Sequence, residues 1–425
     1  MIKFLNGREK TKKMFSKRHL TNTESSSNDK RLKVLLFDND DFSDYTCYFA
    51  RGICKYVDVI LYCFSESSPK LTGAASQKKI EINYINKKLP KGYSSIKGII
   101  RVFFLFFVLF NVLVKTKYDV VHIQDYLPAF FIFIPLLKIR RKKICWTLHD
   151  LDIFSLWDRL FAEGLSGKLQ ILFRKMVTQP MFISKFADII LVHAHSHKEQ
   201  LLLKNVESEK VHVIRQLDYA YLLESNNAKN DFPTSVLEEG YILFFGNIAP
   251  WKGITTLINA AKIMKKTKEI NFNLVIAGKP YPGFDGINFF EGVDNDESKF
   301  IKVFTKYVTS SEIPSLVCRS AFLVLPYDSP FRYSSSGVIP LSYTFAKPVI
   351  VSNVPSLAEY VDHGKTGLIF EMNQSNELAD CMISLLKNQS ICAEMGHAAH
   401  QKMIKEMSLD VCSRNIYDIY RVMGR

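Results

Sequence analysis

Short apolar runs separated by longer helical stretches recur from Leu32 onward, and this alternation restricts the fold more than any other feature of the chain. The run "LKVLLFD", residues 32–38, is apolar at nearly every position and is followed by the turn-rich "NDDFSDY". A strand with one wet face would alternate polar and apolar residues. A continuous run is buried on both faces, as in a parallel sheet covered by helices. A helix expected over Thr46–Lys55 leads to "VDVILYC", and "DVVHIQ", "KICWTLHD" and "DIILVHA" repeat the strand theme after helical stretches. Strands alternating with helices predict an α/β architecture with a doubly wound parallel sheet.

A second cycle begins beyond the polar stretch "ESNNAKNDFPTSVLEEG", residues 224–240, whose Asn, Asp and Pro content suits a linker. It comprises "YILFFGN", a helix over Ile254–Lys266, "FNLVIAG", "FIKVFTKYV", "AFLVLPY", a helix over Val338–Phe345, "PVIVS", "TGLIF" and a long helix from about Asn376. The 425 residues also exceed what one hydrophobic core usually organises, so two successive α/β domains are expected. The assigned boundaries are a disordered basic tail over 1–31, a first domain over 32–235, a second over 236–405, and a helix over 406–425. In sheets of this kind ligands bind at the carboxyl ends of the strands, which places the turns after Gly246, Gly278 and Tyr327 in one crevice.

Composition excludes several classes. With 47% apolar and 23% charged residues, the chain is not globally disordered. Residues 1–33 hold ten Lys or Arg against three Asp or Glu, a balance of +7 within a total of +14. Such a tail is either a solvated arm or a contact for an anionic surface. A nucleic-acid partner is not expected, because the tail lacks interleaved aromatics for base stacking. The eight cysteines are scattered without a CxxC pair, which fits small buried hydrophobes in a reducing compartment and neither a zinc site nor a disulfide framework. No apolar segment with a cleavage site follows the basic N-terminal residues, so a cytoplasmic location is expected. The run "IIRVFFLFFVLFNVLV", residues 99–114, is too short to span a bilayer and is interrupted by Arg101. A second run, "LPAFFIFIPLLKIRRKK", residues 127–143, ends in a basic cluster. Each reads either as a helix buried against a sheet or as a segment lying in a membrane interface.

Three strand-to-helix turns carry candidate chemistry. "FFGNIAPWKG", residues 244–253, sets a Gly turn and Lys252 just before a helix, an arrangement that suits a phosphate group. "IAGKP", residues 276–280, ends a strand on Gly278, where the backbone can approach a ligand closely. "DSPFRYSSSG", residues 328–337, sets Ser334, Ser335 and Ser336 before a helix, where hydroxyls cap exposed amides or hold a hydroxyl-rich or anionic ligand. Each turn alone is a common structural device, and the three in order are much less common.

Those segments, with "YVTSSEIPSLVCRSAFLVLPY" and "YSSSGVIPLSYTFAKPVIVSNVPSLAEYVDHGKTGLIF", resemble the retaining glycosyltransferases of the GT-B fold, family 4-like, also called glycosyl transferases group 1. The resemblance covers most of residues 240–370 and is weaker in the first half, where "YDVVHIQD", "KICWTLHD" and "ADIILVHAHSHKEQLL" carry it. It implies two Rossmann-like domains facing each other across a cleft, a nucleotide-sugar donor on the second domain and an acceptor on the first, with the last helix packing back on the first domain. It implies no cofactor and no metal. Lys252 matches the family's diphosphate-binding lysine, while Asn247 replaces its usual arginine partner, a loss that Arg332 could cover. The donor side further takes in Gly246, Gly278, Lys279, Tyr327, Ser335, Ser336 and Gly337. The family's paired glutamates align with Ser334 and Ser342, as in a variant subgroup with an "SG" pattern. Serine can hydrogen-bond a sugar hydroxyl but cannot stabilise positive charge as a carboxylate does. His149 matches the family's cleft histidine, and Asp125 and Asp150 are candidates for orienting the acceptor.

His193, His195 and His197 alternate in "HAHSHKEQ" without the partners a zinc site requires, and Glu359 reads as structural. The expected activity is transfer of a sugar from a nucleotide diphosphate to a hydroxyl acceptor, with a lipid-linked saccharide favoured by the basic tail and the Phe-rich runs. The expected enzyme is peripheral at the inner face of the membrane. A non-catalytic subunit of the same fold is the rival suggested by Asn247, Ser334 and Ser342. An epimerase of similar architecture would need acid and base groups that the serines do not supply.

Overall fold

The computed structural model describes residues 31–37, 43–63, 67–84, 107, 109–124, 133–149, 151, 184–224, 232, 238–267, 270–281, 290, 296, 299–328 and 335–423. In the first half these residues build a parallel sheet from β1 (Lys33–Phe37), β2 (Asp58–Cys63), β3 (Ile80–Tyr84), β4 (Val120–Gln124), β5 (Lys143–Leu148), β6 (Ile189–Val192) and β7 (Val211–Val213). The strand order is β3-β2-β1-β4-β5-β6-β7. Helix α1 (Ser43–Ile53) follows β1 and α2 (His195–Leu203) follows β6. The last four residues of β1 and all of β4 and β6 are buried, which is why these strands read as nearly unbroken apolar runs.

The second sheet contains β8 (Tyr241–Phe245), β9 (Leu274–Ala277), β10 (Ile301–Phe304), β11 (Ser320–Leu325), β12 (Val349–Ser352) and β13 (Gly367–Phe370), in the order β10-β9-β8-β11-β12-β13. Its helices include α3 (Ile254–Thr267), α4 (Val338–Thr344), α5 (Ser375–Lys387), α6 (Gln389–Glu406) and α7 (Leu409–Met423). Every strand pair in both sheets is parallel. The order reverses between β1 and β4 in one sheet and between β8 and β11 in the other, and such switch points open crevices at the carboxyl ends of the strands. Two edge strands escape the sequence pattern. β3 is exposed or half-buried after its first residue, and β7 is three residues long.

Both sheets lie within one compact unit, Leu32–Arg425, and share an apolar core that includes Ile214, Leu217, Tyr221, Tyr360, Leu409 and Tyr420. Helix α7 packs on α1. Asp218 ties this junction: it accepts from Tyr48 Oη at 2.7 Å, Ala220 N at 3.0 Å and Leu409 N at 3.0 Å, while its own N–H donates to Met407 O at 2.9 Å. Burial raises the pKa of this carboxyl group, and the three donors oppose that shift.

The Phe-rich runs are described in part. Residues 109–115 are helical and bury Leu109, Val112 and Leu113 while leaving Phe110 and Val114 exposed. Phe107 is 61% exposed, and Ile139, at the end of the helix Ile134–Ile139, is 80% exposed. Arg140 joins the two segments by donating to Leu113 O and to Val114 O. Among the described residues no helix is long and apolar enough to cross a membrane.

Four imidazoles of the first half are buried: His122, His149, His193 and His197. Burial lowers the pKa of His122 and His197 to about 3 and of His193 to about 4, and drives His149 well below its ordinary value. In the unfolded chain each would take a proton near pH ~6.5. Below that pH the unfolded state therefore binds more protons than the folded one, and stability must fall as the pH is lowered toward the folded-state values. The slope is about 1.4 kcal/mol per pH unit for each histidine. Urea midpoints measured from about pH 7.5 down to about pH 4.5 are expected to drop steeply below pH ~6.5. A flat profile would show that these rings are not held neutral.

Candidate active site

At the carboxyl edge of the second sheet, backbone contacts join the turns. Gly246 N donates to Ala277 O at 3.1 Å, Ile248 N to Lys279 O at 2.9 Å, and Tyr281 N to Ile248 O at 2.8 Å. A Cβ on Gly278 would stand 1.8 Å from Gly246 O, so the two turns can approach this closely only with glycine there. The third turn joins in the same way. Asp328 N donates to Trp251 O at 3.2 Å, and Gly253, at φ +66°, leaves no room for a Cβ, which would meet Pro326 O at 1.7 Å.

Lys252 sits on this shared edge, its Nζ 3.8 Å from the centroid of the Tyr327 ring. Tyr327 Oη and Ser336 Oγ are hydrogen-bonded at 2.9 Å, and Ser336 Oγ accepts from Val338 N at 3.4 Å at the start of α4. The serine thus sits where a helix-capping hydroxyl was expected, while also anchoring the tyrosine beneath the lysine. Ser335 Oγ accepts from Gln216 Nε2 of the first half at 2.8 Å. A side chain on Gly337 would meet Tyr219 Oη at 2.6 Å, so the bare backbone there admits a first-half tyrosine. Gly246, Lys252, Gly278, Tyr327, Ser335, Ser336 and Gly337 are therefore gathered into one neighbourhood.

Ser342 departs from its expected place. It is fully enclosed, and its Oγ donates to Lys347 O at 2.9 Å, closing the carboxyl end of α4. The nucleotide contact assigned to it has no surface to use, because a short polar side chain facing the core satisfies itself on the nearest carbonyl. Asn247 is exposed, and Lys279 is exposed with its Nζ 5.7 Å from the Tyr307 ring centroid. Asp125, Asp150, Arg332 and Ser334 lie outside the described residues.

In the first half, His149 directly follows β5 and is 6% exposed. Its Nε2 lies 3.2 Å from Gln124 Oε1, the last residue of β4, and its Nδ1 lies 2.9 Å from His193 Nε2. Tyr45 of α1 stands edge-on to both rings, with centroids 5.1 Å from His149 and 6.3 Å from His193. Burial raises the pKa of Tyr45 well above its usual value, so its phenol stays protonated. Among the described residues no group of three or more His, Cys, Asp or Glu side chains is arranged to hold a metal ion.

A seam fixes this histidine side against the turns. Glu359 accepts from His195 N at 2.8 Å and Ser196 Oγ at 3.2 Å at the start of α2, and pairs with Arg215 Nη1 at 3.3 Å. Arg215 also lies 4.4 Å over the Tyr360 ring, and Tyr360 Oη donates to His193 O at 2.6 Å. The sequence reading of Glu359 as structural matches this placement. It missed Arg215, Gln216, Tyr219, Tyr45 and Tyr360. Residues 214–219, "IRQLDY", contain no Gly turn or charge pattern that would single them out.

The sequence profile described as "Glycosyl transferases group 1" matches residues 226–402, and that described as "Glycosyltransferase Family 4" matches residues 44–216. An uncharacterized 41.2 kDa protein in the cps region of Klebsiella pneumoniae is 23% identical over 288 residues, 66% of this chain and 73% of its own. Alpha-D-kanosaminyltransferase of Streptomyces kanamyceticus is 22% identical over 251 residues, 57% of this chain and 62% of its own. O-antigen chain mannosyltransferase B of Escherichia coli is 24% identical over 186 residues, 44% of this chain and 46% of its own. The chain thus spans less than two thirds of the length of these last two relatives. Among solved structures, Anabaena HepE in complex with UDP and glucose shares the fold with a TM-score of 0.66 at 15% identity, covering 92% of this chain and 100% of that one. With two parallel sheets meeting at a shared seam and profiles matching both halves, the chain belongs to the group 1 glycosyltransferases of GT-B fold.

Proposed function

We propose that this glycosyltransferase moves a sugar, with retention of anomeric configuration and without a metal ion, from a nucleotide-diphosphate donor to a hydroxyl acceptor. The observation that carries the reading is Lys252, a half-buried cation on an edge where three glycine-bearing turns bring backbone close together. A diphosphate leaving group develops charge as its bond to the sugar breaks. A preplaced ammonium stabilises that charge without reorganisation. Helix α4, seven residues long, adds only a weak dipole, so the lysine carries most of the task. The likeness to HepE, whose structure holds UDP and glucose, supports a donor of this class.

Retention follows from front-face attack assisted by the leaving diphosphate, a route that needs no protein nucleophile. On that route serine in place of glutamate changes recognition of the donor without removing an obligate group. Lys252→Ala is expected to lower kcat for sugar transfer at least about tenfold, equivalent to about 1.4 kcal/mol. Unchanged turnover would take this lysine out of the mechanism. Donor binding without any turnover would favour a non-catalytic subunit, the reading that the enclosed Ser342 and the exposed Asn247 support.

The acceptor proposed is a lipid-linked saccharide. Phe107, Phe110, Val114 and Ile139 are exposed on segments that also carry Lys115, Lys117, Lys138, Arg140, Arg141, Lys142 and Lys143. Aromatic and aliphatic side chains beside a basic cluster suit an anionic membrane interface. The O-antigen relative fits the same setting. The protein is expected to float with vesicles containing about one-third anionic lipid at low salt, and to be released as salt screens the charges. Failure to float with anionic vesicles at low salt would contradict a membrane-borne acceptor.

A further inference from the structure

On the edge of the second sheet opposite the three turns, the amino ends of β8, β11 and β12 border a cavity of about 480 Å³. That volume lies within the roughly 300–1,000 Å³ of small-molecule pockets. Pro348 before β12, Leu385 of α5 and Cys392 of α6 give it a buried apolar wall, and the exposed Ala393 lines it as well.

Lys347 lines the same cavity, and its Nζ donates to Ser320 O at 2.6 Å. An ammonium has two further N–H groups, and among the described residues no carboxylate pairs with this one. Glu239, the acidic residue of the lining, pairs instead with Arg319 Nε at 3.5 Å. Burial lowers the pKa of Lys347, while Cys318, Cys392 and Glu239 oppose that shift. A half-buried ammonium whose partner is a neutral carbonyl lacks the compensation that buried charges normally find, and an anion in the cavity supplies it.

Two features of the surroundings favour the same sign of charge and a fixed geometry. Helix α6, 18 residues long, begins beside the cavity with no acidic residue in its first turn, and Asn388 at its cap turns its Nδ2 to Ser384 O at 2.9 Å instead of capping the helix. Its positive end is therefore left without a carboxylate or a side-chain cap. The backbone of Lys347 is held at the carboxyl end of α4, where its N–H donates to Ser342 O at 3.0 Å and its carbonyl accepts from Ser342 Oγ at 2.9 Å.

We propose that this cavity is a second ligand site, on the opposite edge of the sheet from Lys252, and that it takes a small amphiphile carrying one carboxylate. The Lys347 ammonium holds the carboxylate, and Pro348, Leu385 and Cys392 cover the aliphatic body. One cation matches one negative charge, since the neighbouring guanidinium of Arg319 is already engaged by Glu239.

The test is isothermal titration calorimetry of the full chain with octanoate. Octanol keeps the aliphatic chain without the charge, and acetate keeps the charge without the chain. Octanoate is expected to bind once per protein molecule, at least about tenfold more tightly than either control. Two variants locate it, each checked for folding by circular dichroism and melting temperature. Lys347→Met removes the charge while keeping a long side chain, and Ala393→Trp fills the cavity from an exposed position on another element. Each is expected to weaken octanoate binding at least about tenfold, whereas Lys347→Arg retains it. No saturable binding of octanoate to the folded wild-type protein would overturn the proposal. So would octanoate binding that survives either Lys347→Met or Ala393→Trp, or binding that is lost in Lys252→Ala, which would place the anion on the opposite edge.

Discussion

The arrangement depends on one carboxylate. Glu359 lies in the second half yet receives the first backbone amide of α2, the Ser196 hydroxyl and the Arg215 guanidinium, all from the first half. Its side chain and that of Arg215 are 18% and 19% exposed, so the pair is largely desolvated. Truncating one partner of such a pair costs about 3–5 kcal/mol, because a charge is left without compensation. The negative charge also faces the positive end of α2, which adds to its fit there. Through Tyr360 the same seam reaches the backbone of His193, and through Gln216 it reaches Ser335. The histidine edge and the turns of the second sheet thus share one mechanical connection.

Much of this fold was legible in the sequence because parallel strands covered by helices must be apolar throughout. β1, β4, β5, β6, β8, β9, β11 and β12 all stand where such runs occur. β3 and β7 were not legible, since an edge strand buries too little and a three-residue strand is too short for any period to show. α1 begins at Ser43, three residues ahead of the expected Thr46, because the acidic "DDFSD" reads as a turn before tertiary contacts fix it. The glycines of these turns were legible because they stand between a strand and the following helix, and the clashes a Cβ would make at Gly253 and Gly278 give the physical reason. The partners facing them from Arg215–Tyr219 were not, because pairing across more than 100 residues leaves no local pattern. Ser342 shows the converse error. A match by position assigned it a ligand, whereas its place on the inner face of α4 assigned it to the core.

Lys252 and Tyr327 form a cation–π pair whose tyrosine is held by Ser336, so the serine acts on the lysine indirectly. Backbone packing joins the three turns, and Lys252 places an ammonium on their shared edge. Burial holds the pKa of His149 well below its ordinary value, and its Nδ1 lies 2.9 Å from His193 Nε2.

The most direct test of a nucleotide-sugar site on the second sheet is the melting temperature of the purified chain against a panel of nucleotide-sugars. A ligand that binds only the folded state raises it in proportion to the logarithm of its concentration over Kd. One donor class is expected to raise the melting temperature, with a shift that shrinks in Lys252→Ala. No shift with any nucleotide-sugar, from protein shown to be folded, would contradict the account.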